Sequence, residues 1–223
     1  MTSRDHLRST APRALRDPEA LQARLEAVRS VPAVRPLNDW VETLRGRLGD
    51  SESVPWFDPA SGGVEARSLF LLEAPGQKSM GAEAALRRTG SGIISIDNDD
   101  PTAQNCWTLR DEAGLPYELS VHWNVVPWYL GTADRIAAPG RTEIQRAAPF
   151  LHEVISMLPA LELVVLMGRK AQAGWAAYQE QYAPKVHTLA TWHPSPRVFA
   201  SRPAARQEIL DTLRQAADLL RSA

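Results

Sequence analysis

Polar residues with chemical uses follow four short apolar runs in this 223-residue chain. A carboxylate and a Pro-Gly turn follow the first run, an amide lies near the end of the second, a glycine follows the third and an imidazole follows the fourth. Together these groups can move a proton, donate hydrogen bonds to a developing anion and present backbone N–H groups to a ligand. In chain order they are Glu73, Gly76, Gln77, Asn124, Gly168 and His193. If the four runs are neighbouring strands, these residues form one polar site.

The apolar runs predict the strands that would bring these residues together. The third run is almost continuously apolar, as expected of a strand that is covered on both faces. Alternation of strands with helical stretches predicts an α/β fold with three α/β/α layers around a central four-stranded parallel sheet. Ligands of such sheets bind beyond the carboxyl ends of the strands. The predicted strands are 68–72, 119–126, 161–167 and 186–191, and the predicted helices are 102–113, 141–158, 169–182 and 204–220.

The N-terminal part of the chain is polar, is punctuated by proline and shows no strand signal. Residues 1–54 are predicted to form a helical extension packed on a main domain of residues 55–223. Apolar residues at helical spacing predict one helix over 19–29 and, capped by Asn38, a second helix after it. The segment 53–63, which contains proline and glycine, is predicted to be a loop into the main domain.

Composition limits the classes of function. Lys and Arg total 25 and Asp and Glu total 26, so the net charge of -1 requires any polyanion to bind a local basic face. No apolar run reaches the ~18 residues of a membrane span, and the N-terminus lacks the apolar core of a secretory signal, which predicts a cytoplasmic protein without membrane contact. Cys106 is the single cysteine, which excludes an internal disulfide, an iron–sulfur cluster and a cysteine-rich zinc site. No His, Asp or Glu spacing suggests a metal site, and no cofactor is expected.

Three segments, taken together, resemble motifs of the uracil-DNA glycosylase superfamily. Glu73-Ala-Pro-Gly76 is similar to the first motif of several branches, Asn124-Val-Val126 to the middle motif, and His193-Pro-Ser-Pro-Arg197 to the last. Gly168 stands where such proteins tend to have a glycine, and order and spacing match from about residue 68 to residue 199. The resemblance implies a monofunctional DNA glycosylase that hydrolyses uracil from DNA without a metal or redox cofactor and leaves an abasic site. We expect it to act as a monomer.

The resemblance also implies roles for the polar residues. His193 would donate a hydrogen bond to uracil O2 as negative charge develops there, and Glu73 would orient water or stabilise the cationic sugar. Asn124 would recognise the uracil edge through its donor and acceptor, and Gly76 and Gln77 would present backbone N–H groups to the base. Each has a structural alternative: a capping or loop histidine, a solvated strand-end carboxylate, an amide that satisfies backbone groups, or an ordinary tight turn.

Two departures from the family pattern concern the water and the base. The best-known branch has an aspartate where Ala74 stands, whereas the iron–sulfur branches carry a glutamate at the place of Glu73, so the strength of water activation is open. The stretch 89–95 lacks the aromatic residue that normally stacks on the flipped base. Ile93 is the expected substitute, with Ile94, Trp107, Trp123 and Trp128 as alternatives.

DNA contacts are expected around the last motif. Ser195 would bind a phosphate, and Val198 or Phe199 would either fill the space left by the flipped base or anchor the last helix. A basic rim would supply further phosphate contacts, although solvated surface charge is the default for any one of its members. The rim residues are Lys78, Arg87, Arg88, Arg169, Lys170, Arg197 and Arg202.

Other functions fit the same residues. The scaffold can instead remove hypoxanthine, xanthine or mismatched thymine, or it can bind uracil-containing or abasic DNA without cleaving it. Ala74 favours the binding protein, whereas Glu73 favours turnover. An α/β hydrolase of free nucleosides would need no basic rim. His122 and His187 lie inside predicted strands and are expected to be structural.

Overall fold

A four-stranded parallel sheet lies at the centre of the fold, as the sequence predicts. The computed structural model describes residues 5–49, 54–81, 90–132 and 137–222. Its helices and strands are α1 (Pro18–Ala27), α2 (Arg35–Leu48), β1 (Trp56–Phe57), β2 (Ser68–Leu72), β3 (Ile93–Ile94), α3 (Pro101–Glu112), β4 (Ser120–Asn124), α4 (Arg141–Ser156), β5 (Leu163–Met167), α5 (Arg169–Gln179), β6 (His187–Thr191), α6 (Pro196–Ser201) and α7 (Ala205–Ser222). The strand order in the large sheet is β4-β2-β5-β6, and every neighbouring pair is parallel.

Alternate residues of the strands pack into two hydrophobic layers. Leu69 and Leu71 of β2 face the layer that holds α2, α4 and α5, whereas Phe70 faces the layer that holds α3 and α7. Strand β5 is buried along its whole length, because helices cover both of its faces. The predicted α/β/α architecture is therefore confirmed. Within the described ranges, no helix has the length and the apolar character needed to cross a membrane.

The N-terminal helices α1 and α2 occur where helices are predicted, but the second begins earlier. It starts at Arg35 and has a proline in its first turn, so the prediction of Asn38 as its cap is wrong. Asn38 is buried within the helix, where its side chain donates to Val28 O and accepts from Phe57 N, each at 2.8 Å. Phe57 belongs to β1, which lies in the segment predicted to be a loop and pairs with β3 in a small parallel sheet.

A buried ionic cluster joins α1 to the segment that precedes α3. The Arg24 guanidinium donates to Asp58 Oδ1 at 2.6 Å and to Asp97 Oδ2 at 2.9 Å, and Asp58 also accepts from the hydroxyls of Ser95 and Tyr117. Burial, reinforced by the Asp58 carboxylate, raises the pKa of Asp97, because one guanidinium serves two carboxylates. These five side chains are called the Arg24 cluster below.

Candidate functional site

A cavity of about 300 Å³ opens beyond the carboxyl ends of β2 and β4. The turn over 73–79 forms one wall, the segment 94–98 with the start of α3 forms another, and His193 lies at a third side. Five residues predicted for the site meet in its lining: Glu73, Gly76, Gln77, Asn124 and His193. The tertiary structure therefore collects side chains from three separate motifs into one concave site, at the place where parallel sheets bind ligands.

The Glu73 wall continues the pairing of β2 with β4. Val125 N donates to Leu72 O at 2.9 Å and Val126 N donates to Glu73 O at 3.0 Å, so the backbone of Glu73 is fixed beside the end of β4. Gly76 follows with a φ of −83°, which any residue adopts, and a Cβ added to it would meet nothing within 4 Å. Packing within the protein therefore does not require a glycine here, whereas close approach of a flat ligand to the backbone would.

Gly168 and α3 hold His193 at the third side of the cavity. Gly168 follows β5 with a φ of 100° and donates its N–H to Thr191 O at 2.9 Å. A Cβ on Gly168 would lie 2.8 Å from the Cβ of His193, which is closer than packing allows. Asn105 of α3 donates to Pro194 O at 2.7 Å. The close approach of His193 therefore explains the glycine that follows the third strand.

The electrostatic surroundings of His193 favour a neutral imidazole. Burial lowers the pKa of His193, and the nearby carboxylates of Glu73 and Asp100 oppose this effect without cancelling it. A neutral imidazole carries one N–H and can donate it to a ligand oxygen on which negative charge develops. The imidazole thus provides a hydrogen-bond donor without placing a full positive charge in the cavity.

Asn124 lies on the floor of the cavity, and one of its hydrogen-bonding groups has no partner among the described residues. It is the last residue of β4 and is 4% exposed. Its Nδ2 is buried and has no hydrogen-bond partner among the described residues. Buried amide groups in proteins are nearly always hydrogen-bonded, so an unpartnered donor at a cavity wall marks a place for a ligand acceptor.

Asp100 and His122 also line the cavity, although neither was predicted for the site. Asp100 caps α3 by accepting the N–H groups of Thr102 and Ala103 at 2.8 and 3.0 Å. Its signal in the sequence is an aspartate directly before Pro101, which is typical of a helix start but does not reveal what the cap faces. His122 is buried, as expected, yet it lies two residues before Asn124 on β4, and the period of a strand places both side chains on one face.

Of the residues predicted to replace an aromatic platform, only Ile94 is among the cavity-lining residues that the structure describes. Ile93 is fully buried in the small sheet and is absent from the cavity lining, whereas Ile94 and Ile96 belong to it. Trp123 stacks on Phe57 in the core with ring centroids 3.8 Å apart. The other two alternatives are also directed away: Trp128 packs on Phe150, and Trp107 donates to Ser9. Among the cavity-lining residues that the structure describes, none is Phe, Tyr or Trp.

Of the residues predicted for DNA contact, Lys78 lines the cavity, whereas Ser195, Arg169, Lys170 and Arg197 do not. Ser195 caps α6 by accepting Val198 N, and Phe199 packs half-buried against the core layer of α3 and α7. Arg169 and Arg197 are exposed. Two other members of the predicted rim have partners, since Lys170 Nζ donates to Pro139 O at 2.7 Å and Lys78 Nζ lies 3.6 Å from Asp99. Arg87 and Arg88 lie outside the described residues. The last member of the rim, Arg202, stacks its guanidinium on Trp192.

Comparisons with known proteins agree with the geometry. A model of the uracil DNA glycosylase superfamily matches residues 59–214. Among solved structures, the wild-type SMUG2 of Pedobacter heparinus is similar, with a TM-score of 0.50 and 13% sequence identity, over 71% of this chain and 77% of that chain. At that identity the likeness concerns the fold. No curated protein matches the chain. In the described ranges, no three His, Cys, Asp or Glu side chains are grouped to hold a metal ion.

Proposed function

Because the chain belongs to the uracil DNA glycosylase superfamily, we propose that it hydrolyses the N-glycosidic bond of uracil in DNA and leaves an abasic site. The predicted superfamily is confirmed, and membership supports DNA glycosylase activity on damaged bases, a step of base excision repair. Uracil as the base, a monomeric state and a cytoplasmic location are parts of the proposal. The observation that carries it is the convergence of Glu73, Asn124 and His193 on one cavity.

The proposed reaction divides the work among these three side chains. The bond between the sugar C1′ and uracil N1 breaks, its electron pair leaves with the base, and water forms the new bond to C1′. Neutral His193 donates its N–H to uracil O2, where negative charge develops. Glu73 stabilises the cationic sugar, orients the water and takes the proton that the water releases. Asn124 Nδ2 donates to the base and thereby gains the partner that the protein does not supply.

The base must leave the duplex to reach this cavity, so the surface around the cavity has to hold DNA. Ser195 and the exposed Arg169 and Arg197 are the proposed phosphate contacts, with Lys170 beside them. A net charge of -1 makes such a local basic face necessary, because the chain as a whole does not attract a polyanion.

Two observations favour the other candidate functions. Ile94 and Ile96 line the cavity and none of its described lining residues is aromatic, so the expected stacking contact with uracil is absent, which favours a further deaminated base such as hypoxanthine or xanthine. Ala74 also lies in the lining and supplies no second carboxylate for water, which favours a protein that binds uracil-containing or abasic DNA without cleaving it.

A cleavage assay tests the proposal. Single- and double-stranded oligonucleotides with one uracil, hypoxanthine or xanthine are incubated with the protein and then treated with alkali, which cuts the strand at abasic sites. We expect uracil to be removed fastest. Tight retention of uncut DNA would establish the binding protein instead, and preferential loss of a purine would establish the alternative substrate.

Variants test the assigned roles in the same assay. His193→Ala and Glu73→Ala should each slow cleavage by about 100-fold or more. His187→Ala and Glu180→Ala, which remove exposed residues of the same types from β6 and the end of α5, are the matched controls and should retain the parent rate. Equal rates in all four variants would place the chemistry elsewhere.

A further inference from the structure

His122 is a buried polar residue of the cavity that the proposed mechanism does not use. It is 4% exposed and lies on β4, on the same face as Asn124. Neither of its ring nitrogens has a hydrogen-bond partner among the described residues. A buried imidazole that remains unpartnered is costly, because its nitrogens give up water and receive nothing in return. A ligand bound in the cavity could supply the missing hydrogen-bond partner.

The groups around His122 leave the cavity as the place for that partner. One face of the ring stacks on Phe70 with centroids 4.8 Å apart, and Tyr117 is tilted against it at 5.6 Å. Behind the ring lies a narrow gap lined by Cys106, Leu109 and neighbouring side chains, and this gap has no room for a water molecule. The Arg110 guanidinium, in contact with the rings of Phe70 and Tyr117, offers only donors.

The charge state of His122 is also defined by these neighbours. Burial lowers the pKa of His122 well below its ordinary value, and the positive charge of Arg110 lowers it further. The imidazole is therefore neutral and has one N–H to donate and one nitrogen that accepts. Two residues along a strand are about 6.6 Å apart, so His122 and Asn124 can bind different atoms on the same edge of one base.

We infer that His122 is a specificity-determining residue, which donates a hydrogen bond to a carbonyl oxygen on the inner edge of the extruded base. The inference rests on the proposed function, in which His193 binds uracil O2. That orientation directs uracil O4 towards the floor that Asn124 and His122 form. A site built to hydrogen-bond a substrate group discriminates strongly against an analogue in which that group is altered.

Sulfur substitution in the base tests the contact. Oligonucleotides with uracil, 4-thiouracil or 2-thiouracil are compared, because sulfur is a much weaker hydrogen-bond acceptor than oxygen. In the parent protein both sulfur bases should be cleaved more slowly than uracil. The penalty for a sulfur base is the ratio of the uracil cleavage rate to the cleavage rate of that base. In His122→Leu the penalty for 4-thiouracil should fall by about 10-fold, since one donor to that position is gone, whereas the penalty for 2-thiouracil should stay unchanged. His187→Leu, at an exposed histidine of β6, is the control and should alter neither penalty.

The outcomes separate this inference from the proposed function. If the parent cleaves uracil and the 4-thiouracil penalty is the same in His122→Leu, the inference is overturned while the function stands. If the parent cleaves no base, the proposed function falls, and ¹⁵N spectra of the histidine rings with free uracil added decide about His122. A shift of its ring nitrogens supports the contact, and an unchanged signal overturns it. His122→Leu should melt at or above the temperature of the parent, whereas a merely structural histidine would lower it.

Discussion

The Arg24 cluster and the cavity floor bury polar side chains to the same degree, but only the side chains of the Arg24 cluster have hydrogen-bond partners among the described residues for all their buried groups. Arg24 and Asp97 are 3% and 2% exposed, and Asn124 and His122 are both 4% exposed. In the Arg24 cluster, guanidinium, carboxylates and hydroxyls bind one another. On the floor, the amide Nδ2 and both imidazole nitrogens have no partner among the described residues.

The contrast separates side chains that hold the fold from side chains that serve a ligand. Burying a polar group without a partner costs free energy, so a cluster that stabilises the fold must supply its own partners. A binding site tolerates the cost, because the ligand completes the hydrogen bonds when it arrives. Substitutions in the two regions should therefore change different measurable quantities.

The largest effect is expected from Arg24→Met. Removing the guanidinium leaves Asp58 and Asp97 buried with no counter-charge, which should lower the free energy of unfolding by about 3–5 kcal/mol. Urea unfolding measures the change. Arg29→Met breaks an exposed pair with Glu42 and should cost about 1 kcal/mol or less. Similar losses in both variants would mean that burial of the Arg24 cluster adds nothing to its strength.

Asn124→Ala should lower the cleavage rate and leave stability nearly unchanged. Cleavage should slow by about 100-fold, because a donor to the reacting base is lost, while the free energy of unfolding should stay within about 1 kcal/mol of the parent value. Asn98→Ala is the matched control in the same cavity. Its amide donates to Ile93 O and accepts from the Ser91 hydroxyl, so its loss should cost stability of about 1–3 kcal/mol. A large stability loss in Asn124→Ala would identify that side chain as structural.

Gly168→Ala tests the support of the site. The new Cβ would meet His193 Cβ at 2.8 Å with φ at 100°, so we expect displacement of the imidazole and a rate about 10- to 100-fold lower. Gly46→Ala, where a Cβ meets nothing within 4 Å inside α2, should stabilise the protein by about 0.5–1 kcal/mol and leave the rate unchanged. A fully active Gly168→Ala protein would show that the position of His193 tolerates such a shift.

The smallest effect concerns acid stability. The pKa values of His122 and His193 are lowered in the folded protein, so the unfolded chain binds more protons below about pH 6.5, and stability should fall as the pH falls from there towards the folded values. His122→Leu removes one of these groups and should reduce the loss between pH 7 and pH 5 by about 2 kcal/mol. Urea unfolding across this range measures it, and parallel curves for the two proteins would mean that His122 titrates normally.

Local sequence patterns account for most of the fold and for part of the site. Apolar runs predict all four strands of the large sheet to within a few residues, and the strand-end rule places Glu73, Asn124 and His193 together. The same patterns do not reveal the short strands β1 and β3, because two-residue strands are too brief for a periodic signal. The patterns also place the start of α2 too late, because Arg35-Pro36 begins the helix without a side-chain cap.

The chain by itself determines which residues lie at strand ends, because hydrophobic periodicity is a property of neighbours in sequence. Only the tertiary structure decides which of those residues share a surface. It brings Ile94 rather than Ile93 to the cavity, places the cap Asp100 near enough to His193 for its charge to act on the imidazole, and pairs Arg24 with carboxylates 34 and 73 positions away. Such contacts depend on side-chain directions after the layers have packed, and no local spacing specifies them.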